Sequence, residues 1–321
     1  MNIGILGAGK IARKMAFTIN NMKDIVLYAV ASRDEEKAKA FADEFGIEKF
    51  YGNYSELAYD NNIDLIYIAT PHSHHYEHAL LCLDAGRNVL CEKAFTANAE
   101  QAEELINLAE SKGLFLGEAI WTRYLPMRFK LDEITESGVI GEISSLTANL
   151  GYSIADVERM KKPELAGGAL LDLGVYPINF ALMAFGNDIE KISSCCVKNE
   201  YGVDSHNTIV FNYRDGKTAI LHSNMNSATD RRGMIYGSKG RIEFENINNC
   251  EGIIVTLNDG TVTRYETPPQ ITGFEYQVEA SVKAIRNGRT ECDEMPHSEI
   301  LRVMKIMDSL RAEWGIVYPF E

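Results

Sequence analysis

The stretch Gly7-Ala8-Gly9-Lys10-Ile11-Ala12 joins the apolar run Met1 to Leu6 to a segment, Lys10 to Asn20, whose Ile11, Met15, Ala16 and Ile19 recur at helical spacing. A glycine turn between strand and helix can cradle a pyrophosphate. Gly7 permits the tight turn, Gly9 lets the backbone approach, Lys10 and Ile11 open the helix with unpaired N–H groups, and Ala12 stands for a third glycine. The next strand, Ile25 to Ala31, ends in Ser32-Arg33, where an NAD-binding chain usually carries a carboxylate for the ribose hydroxyls. Arg33 instead offers a planar fork for a phosphate, Ser32 a hydroxyl and Lys37 a further positive charge, a set that favours NADP. NAD use stays open if Asp34 or Glu35 reaches back to the ribose.

Three other groups could do chemistry. Thr70-Pro71-His72 and Glu92-Lys93 each follow a buried strand, and a lysine at such a position fits a nicotinamide enzyme. Asp172 and Tyr176 are four apart in the apolar segment Gly167 to Phe185, so a helix would put both on one face. Pro177 deprives that helix of its bond to Leu173 and predicts a kink. A buried phenol satisfied by Asp172 with no catalytic role fits the spacing equally well. His72, His74, His75 and His78 raise the question of a metal, but no HExxH or matching cysteine set accompanies them, and imidazoles at a helix start equally suit a cofactor. The expectation is no metal.

These residues need a scaffold, and the chain spells one out. Strand signals at Leu65 to Ala69, Asn88 to Cys91 and Phe115 to Gly117 alternate with helical patterns at Tyr54 to Tyr59, His75 to Asp84 and Ala99 to Ser111. That alternation predicts an α/β Rossmann domain, a doubly wound parallel sheet, over residues 1–121. From 122 to 321 strands dominate, at Ile143 to Tyr152, Ile189 to Lys198, Asn207 to Tyr213, Thr218 to Met225, Gly240 to Glu245, Gly252 to Leu257 and Thr261 to Tyr265. Asp215-Gly216 and Asp259-Gly260 read as hairpin turns, so a C-terminal α+β domain with a large, mostly antiparallel open sheet is expected. A seven-strand sheet with one uncovered face favours a homo-oligomer, most simply a dimer. Ser298 to Trp314 reads as an amphipathic helix packing near the domain junction.

Composition bounds the partners. The 321 residues are 45% hydrophobic with a formal net charge of −14, which argues against nucleic acid or an anionic membrane and leaves an anionic cofactor dependent on local donors. No apolar run reads as a membrane span, and six cysteines without framework spacing fit reduced thiols in a cytoplasmic protein.

Taken together, Gly7-x-Gly9-x-x-Ala12, Glu92-Lys93 and Gly167-Gly168-Ala169-Leu170-Leu171-Asp172-Leu173-Gly174-Val175-Tyr176 resemble the Gfo/Idh/MocA dehydrogenases over nearly the whole chain. Glu118-Ala119-Ile120-Trp121-Thr122-Arg123 and a tyrosine at 176 resemble the dimeric dihydrodiol dehydrogenase and NADP-dependent xylose dehydrogenase branch. The resemblance implies hydride transfer between a nicotinamide and a carbon of a sugar or cyclic vicinal diol. It implies Tyr176 as acid/base aided by the Lys93 ammonium, and an orienting role for Asp172. It also places Thr70, Pro71, His72 and His75 of the Thr-Pro-x-x-x-His pattern, Glu92, Lys93, Trp121 and Arg123 along the cofactor. The family commonly reads Glu-Lys-Pro; Ala94 in the third place predicts a trans bond after Lys93. A catalytically idle dinucleotide-binding sensor is the alternative reading of the same fold.

Overall fold

Apolar strands capped by glycine or asparagine turns set up the first layer. The computed structural model describes residues 1–321, in two units: Met1–Tyr124 with Gln270–Lys305, and Leu125–Pro269 with Ile306–Glu321. The first unit runs β1 (Asn2–Leu6), α1 (Lys10–Asn20), β2 (Val26–Ala31), α2 (Glu35–Phe45), β3 (Lys49–Tyr51), α3 (Tyr54–Ala58), β4 (Leu65–Ile68), α4 (His75–Asp84), β5 (Asn88–Glu92), α5 (Ala99–Lys112) and β6 (Leu116–Ala119). All six strands are parallel in the order β3-β2-β1-β4-β5-β6. The order reverses between β1 and β4, which makes their carboxyl ends the ligand crevice of such a sheet. Every residue of β4 is buried, as a parallel strand covered on both faces requires. The edge strand β3 escaped the sequence because it is three residues long and largely exposed.

The second unit runs α6 (Pro126–Glu136), β7 (Ile143–Gly151), α7 (Glu158–Lys161), α8 (Val175–Phe185), β8 (Ile189–Lys198), β9 (Asp204–Tyr213), β10 (Thr218–Asn224), β11 (Gly233–Gly237), β12 (Gly240–Glu245), β13 (Gly252–Leu257) and β14 (Val262–Glu266). Its sheet has eight strands, not seven, in the order β14-β13-β12-β11-β7-β10-β9-β8. The strand missed is β11, which has glycine at both ends and only three side chains between, Met234, Ile235 and Tyr236. Every pair is antiparallel except β7 with β10. Alternation along β9 buries Ile209, Phe211 and Tyr213 on one side, while Val210 and Asn212 are only partly covered on the other.

The chain then adds α9 (Glu275–Arg286) and α10 (His297–Trp314). Residues Gln270–Lys305 belong with the first unit, which corrects the expected assignment of everything after residue 121 to the second. Of the stripe Ile300, Leu301, Met304, Met307 and Leu310 on α10, all but the half-buried Leu301 are buried.

The motif after β7 has its own local logic. Gly168 takes φ +117° against the Asp204 carboxylate, and a Cβ on Gly167 would lie 2.8–2.9 Å from the carbonyl oxygens of Arg159, Met160 and Lys162. Gly167 and Gly168 donate to the carbonyls of Lys162 and Met160 (3.0 and 2.8 Å), closing the loop that carries α7. Asp204, fully buried, accepts from the Leu170 N–H (2.8 Å) and the Asn207 amide (2.7 Å) and so fixes where the apolar helix starts. Leu170–Gly174 then forms a wide π-turn before α8, just ahead of Pro177. A widened turn is a known way to accommodate a residue that lacks an N–H. Pro163–Phe185 is apolar enough to match a membrane span, contrary to the sequence expectation, but 83% of its most apolar window is buried, as in a core helix.

Burial pushes the Asp204 carboxyl up to about 6 against its two hydrogen bonds. The folded chain therefore holds this proton more tightly than the unfolded chain, and the stability it contributes is lost as pH rises from the ordinary carboxylate range to about 6. Asp204→Ala should lower unfolding free energy by about 2–5 kcal/mol in urea titrations by orphaning two buried donors. Asp204→Asn should flatten the fall in stability over that pH window.

Candidate active site

In the first unit, the phosphate turn is built from backbone. Gly7 takes φ +109°, donates to the Ala31 carbonyl (2.9 Å), and a Cβ on it would lie 2.9 Å from the Ala69 carbonyl oxygen. Nothing stands within 4 Å of where a Cβ on Gly9 would be, and α1 has no side-chain cap. The N–H groups of Lys10, Ile11 and Ala12 thus open a helix toward free space, an arrangement suited to a pyrophosphate.

At the end of β2, Ser32 is buried while Arg33 and Lys37 are exposed. Asp34 caps α2 by accepting the Lys37 N–H (3.1 Å), which commits its carboxylate to the helix rather than to a ribose. Burial raises the Tyr54 phenol pKa, and the Arg33 beside it opposes that rise. Arg33, Asn53, Tyr54, Glu77 and His78 line a cavity of ≈ 500 Å³. Burial, then the nearby His74, His75 and Arg33, push His78 down to about 3, so its ring is neutral and accepts or donates to Thr70 Oγ1 (3.0 Å). No three His, Cys, Asp or Glu side chains converge as a metal cage.

His75 is one of the residues expected along the cofactor. It is fully buried, with Nδ1 2.8 Å from the Ala94 carbonyl and Nε2 2.8 Å from the Thr70 carbonyl. Burial pushes its pKa down to about 4, outweighing the two carbonyls that favour a second proton. Its work is to tie the end of β4 to the turn after β5. In that turn Lys93 is half-buried and Glu92 buried, the latter accepting from the Tyr67 hydroxyl. The Lys93–Ala94 bond is cis, which corrects the trans bond expected without proline. The turn is gripped on both sides, His75 on the Ala94 carbonyl and Cys91 Sγ on the Phe95 carbonyl (3.7 Å).

After β6, Trp121 is buried edge-on to Phe274 (4.4 Å between ring centres), with Lys14 Nζ 4.4 Å from one ring centre and 4.3 Å from the other. Burial lowers the Lys14 pKa, opposed by Glu92 and Glu275. Arg123, expected at the cofactor, is buried and pairs with Glu299 on α10 (3.1 Å). Glu118 on β6 is fully buried, and neither carboxyl oxygen has a hydrogen-bond partner of normal geometry. Lys14, Tyr54 and Glu118 were not singled out as functional from sequence; only Glu118, an acid inside the apolar run Leu116 to Ala119, carried a signal.

In the second unit, Asp172 and Tyr176 are both buried, at 5% and 7% exposure, one in the π-turn and one in the first turn of α8. Arg159 on α7 grips Asp172 in a two-point pair (2.8 and 3.3 Å). Its loop carried no periodicity that could have flagged it. The pair fixes the direction of the Asp172 carboxylate, so loop 153–168 and the π-turn act as one piece.

Residues 1–119 match the model of an oxidoreductase family with an NAD-binding Rossmann fold, and residues 129–243 match the GFO/IDH/MocA C-terminal domain. Trans-1,2-dihydrobenzene-1,2-diol dehydrogenase of Xenopus tropicalis is 33% identical, with 98% of each chain covered. This chain belongs to the Gfo/Idh/MocA oxidoreductases. Another relative, D-xylose 1-dehydrogenase (NADP+) of Hypocrea jecorina, is 34% identical over 84% of this chain and 78% of its own. Among solved structures, a 3-ketoreductase from Actinomadura kijaniata, bound to NADP and TDP-benzene, is 27% identical with a TM-score of 0.90, covering 97% of both chains. This member of the family is accordingly an oxidoreductase acting on CH–OH donors.

Arg159→Ala removes a two-point pair from a buried carboxylate. It should cost about 1–2 kcal/mol, read as a lower denaturation midpoint, the half-exposed guanidinium keeping the loss small. Arg159→Lys should restore only part of it, because a point charge cannot reproduce the fork.

Proposed function

We propose that this oxidoreductase uses NADP(H) to oxidise a secondary alcohol of a sugar or cyclic vicinal diol, or to reduce the matching carbonyl. The observation that carries the cofactor is the bare N-terminus of α1 together with Arg33, whose guanidinium is free of a competing carboxylate because Asp34 caps α2. The NADP-dependent xylose dehydrogenase and the NADP-bound ketoreductase support the same choice. Lys10, Ile11 and Ala12 would hold the pyrophosphate and Arg33, with Ser32 and Lys37, the 2′-phosphate. Thr70, Pro71, His72, Glu92 and Trp121 would lie toward the nicotinamide, which supplies or accepts hydride when bound.

Tyr176 would take the alcohol proton at its Oη, or return it in the reverse direction. A free phenol titrates near 10, too high for a base at neutral pH, and the Lys93 ammonium would stabilise the phenolate. Asp172, fixed by Arg159, would orient a substrate hydroxyl or the acid/base pair. The diol and sugar relatives support this substrate class, since both chemistries begin with a carbinol flanked by a second hydroxyl. A dimer through the uncovered sheet face, where Ile220 is 45% exposed, and a cytoplasmic setting suited to six free thiols belong to the same reading.

Tyr176→Phe should lower turnover about 10²–10⁴-fold with NADPH affinity unchanged in fluorescence titration. Arg33→Ala should weaken NADPH binding tenfold or more, by about 1.4 kcal/mol, and leave NADH binding alone. Equal loss for both cofactors would remove Arg33 from the 2′-phosphate site.

A further inference from the structure

Two histidines of α4 converge on one residue of the ligand crevice. His75 and His78 stand three apart on that helix, on one face of it, and both reach back to Thr70, which lies two residues past the end of β4. His75 holds the Thr70 carbonyl through Nε2 (2.8 Å), and His78 meets the Thr70 hydroxyl through Nδ1 (3.0 Å). The backbone of Thr70 and the direction of its side chain are thus fixed separately. Thr70 is half-buried and stands against the phosphate turn, its Cγ2 3.4 Å from where a Cβ on Gly7 would be. His78, outside the Thr-Pro-x-x-x-His pattern that ends at His75, also lines the cavity shared with Arg33.

A hydroxyl has one proton and two lone pairs, so whichever group takes or gives that proton decides what the oxygen can offer a ligand. The second ring nitrogen of His78 sets the direction. Glu77 Oε1 lies 3.3 Å from Nε2, and a carboxylate only accepts, which puts the ring proton on Nε2. Nδ1 is then bare and accepts from Thr70 Oγ1. The His78 ring is buried, edge-on to the Tyr54 ring (4.6 Å between ring centres) and to the His74 ring (5.7 Å). Burial, then His74, His75 and Arg33, keep a second proton off it. Thr70 is left with lone pairs facing a ligand and no proton to give. Such an oxygen repels a phosphate and suits a donor, and the donors that adjoin the phosphates of a dinucleotide are its ribose hydroxyls.

We propose that His78 is a positioning residue for the cofactor: by accepting the Thr70 proton it turns the Thr70 lone pairs toward a ribose hydroxyl of NADP(H), which donates to them. The ribose rests on the cofactor reading above; the direction of the hydrogen bond between Thr70 and His78 does not.

The tautomer is tested first, on the protein without cofactor. In long-range proton–nitrogen NMR the His78 ring, assigned by its loss in His78→Leu or the milder His78→Gln, should carry its proton on Nε2 at neutral pH. A proton on Nδ1 would overturn the proposal, because Thr70 would then be free to donate. Calorimetric binding follows. Thr70→Val and His78→Leu should each weaken NADPH binding about three- to tenfold, the double variant no more than either alone, and Thr70→Ser should restore most of the loss. Adenosine 2′,5′-bisphosphate, which carries the adenosine ribose alone, identifies the partner. An equal loss with this fragment assigns the adenosine ribose; a loss confined to NADPH assigns the nicotinamide ribose, and either pattern supports the proposal. If His78→Leu lowers the denaturation midpoint but leaves both affinities unchanged, His78 is structural and the proposal fails while the cofactor reading stands. Wild-type protein that binds neither NADPH nor the fragment would overturn both.

Discussion

A side chain at residue 7 would strike the Ala69 carbonyl, and the fold is arranged around that close approach. With Gly7 at φ +109°, the chain turns directly off β1 into α1 and leaves the first N–H groups of the helix facing open space at Gly9. The carboxyl ends of β1 and β4 lie there because the sheet order reverses between them. In a chain of net charge −14, this is how a polyanionic cofactor can be attracted at all: the field is made locally, by aligned peptide dipoles and by Arg33, against the charge of the whole. The other parts of the first unit keep side chains out of that space. Asp34 turns its carboxylate into a helix cap, and His75 sinks into the interior to tie two strand ends together.

The buried charges divide into those that are satisfied and one that is not. Asp204 has two donors and fixes the start of the apolar helix; Asp172 is gripped by the Arg159 fork; Arg123 is held by Glu299. Each would cost more to orphan than it contributes when paired, so these contacts act as registers that fix geometry. Glu118 lacks such a partner and is the exception the rest throws into relief. Its charged neighbours are Arg123, Glu92 and Lys93.

Much of this was legible in the amino-acid order where a single local rule decides. Helix α1 and helix α4 have the bounds that periodicity assigns them, and strands β8, β12 and β13 likewise. Legibility ended where the outcome depends on distant partners. Strand β11 exists because β7 and β12 flank it, not because Gly233 to Gly237 favours extended chain. Arg159 gains meaning only when loop closure through Gly167 and Gly168 brings α7 to Asp172. His75 matches its motif, but the motif does not say that the ring faces two carbonyls. The segment Gln270–Lys305 looked like the tail of the second domain, and only packing of α9 and of residues such as Phe274 against Trp121 assigns it to the first unit.

The central claim is that this protein moves a hydride, and the direct measurement follows the hydride itself. NADPH carrying deuterium at C4 is incubated with the protein and a panel of ketoses and cyclic hydroxyketones, and the products are read by mass spectrometry. Deuterium on the new carbinol carbon, from one face of the nicotinamide only, is the predicted result. Tight NADPH binding with no deuterium in any product across the panel would contradict the account and leave a cofactor-binding sensor in its place.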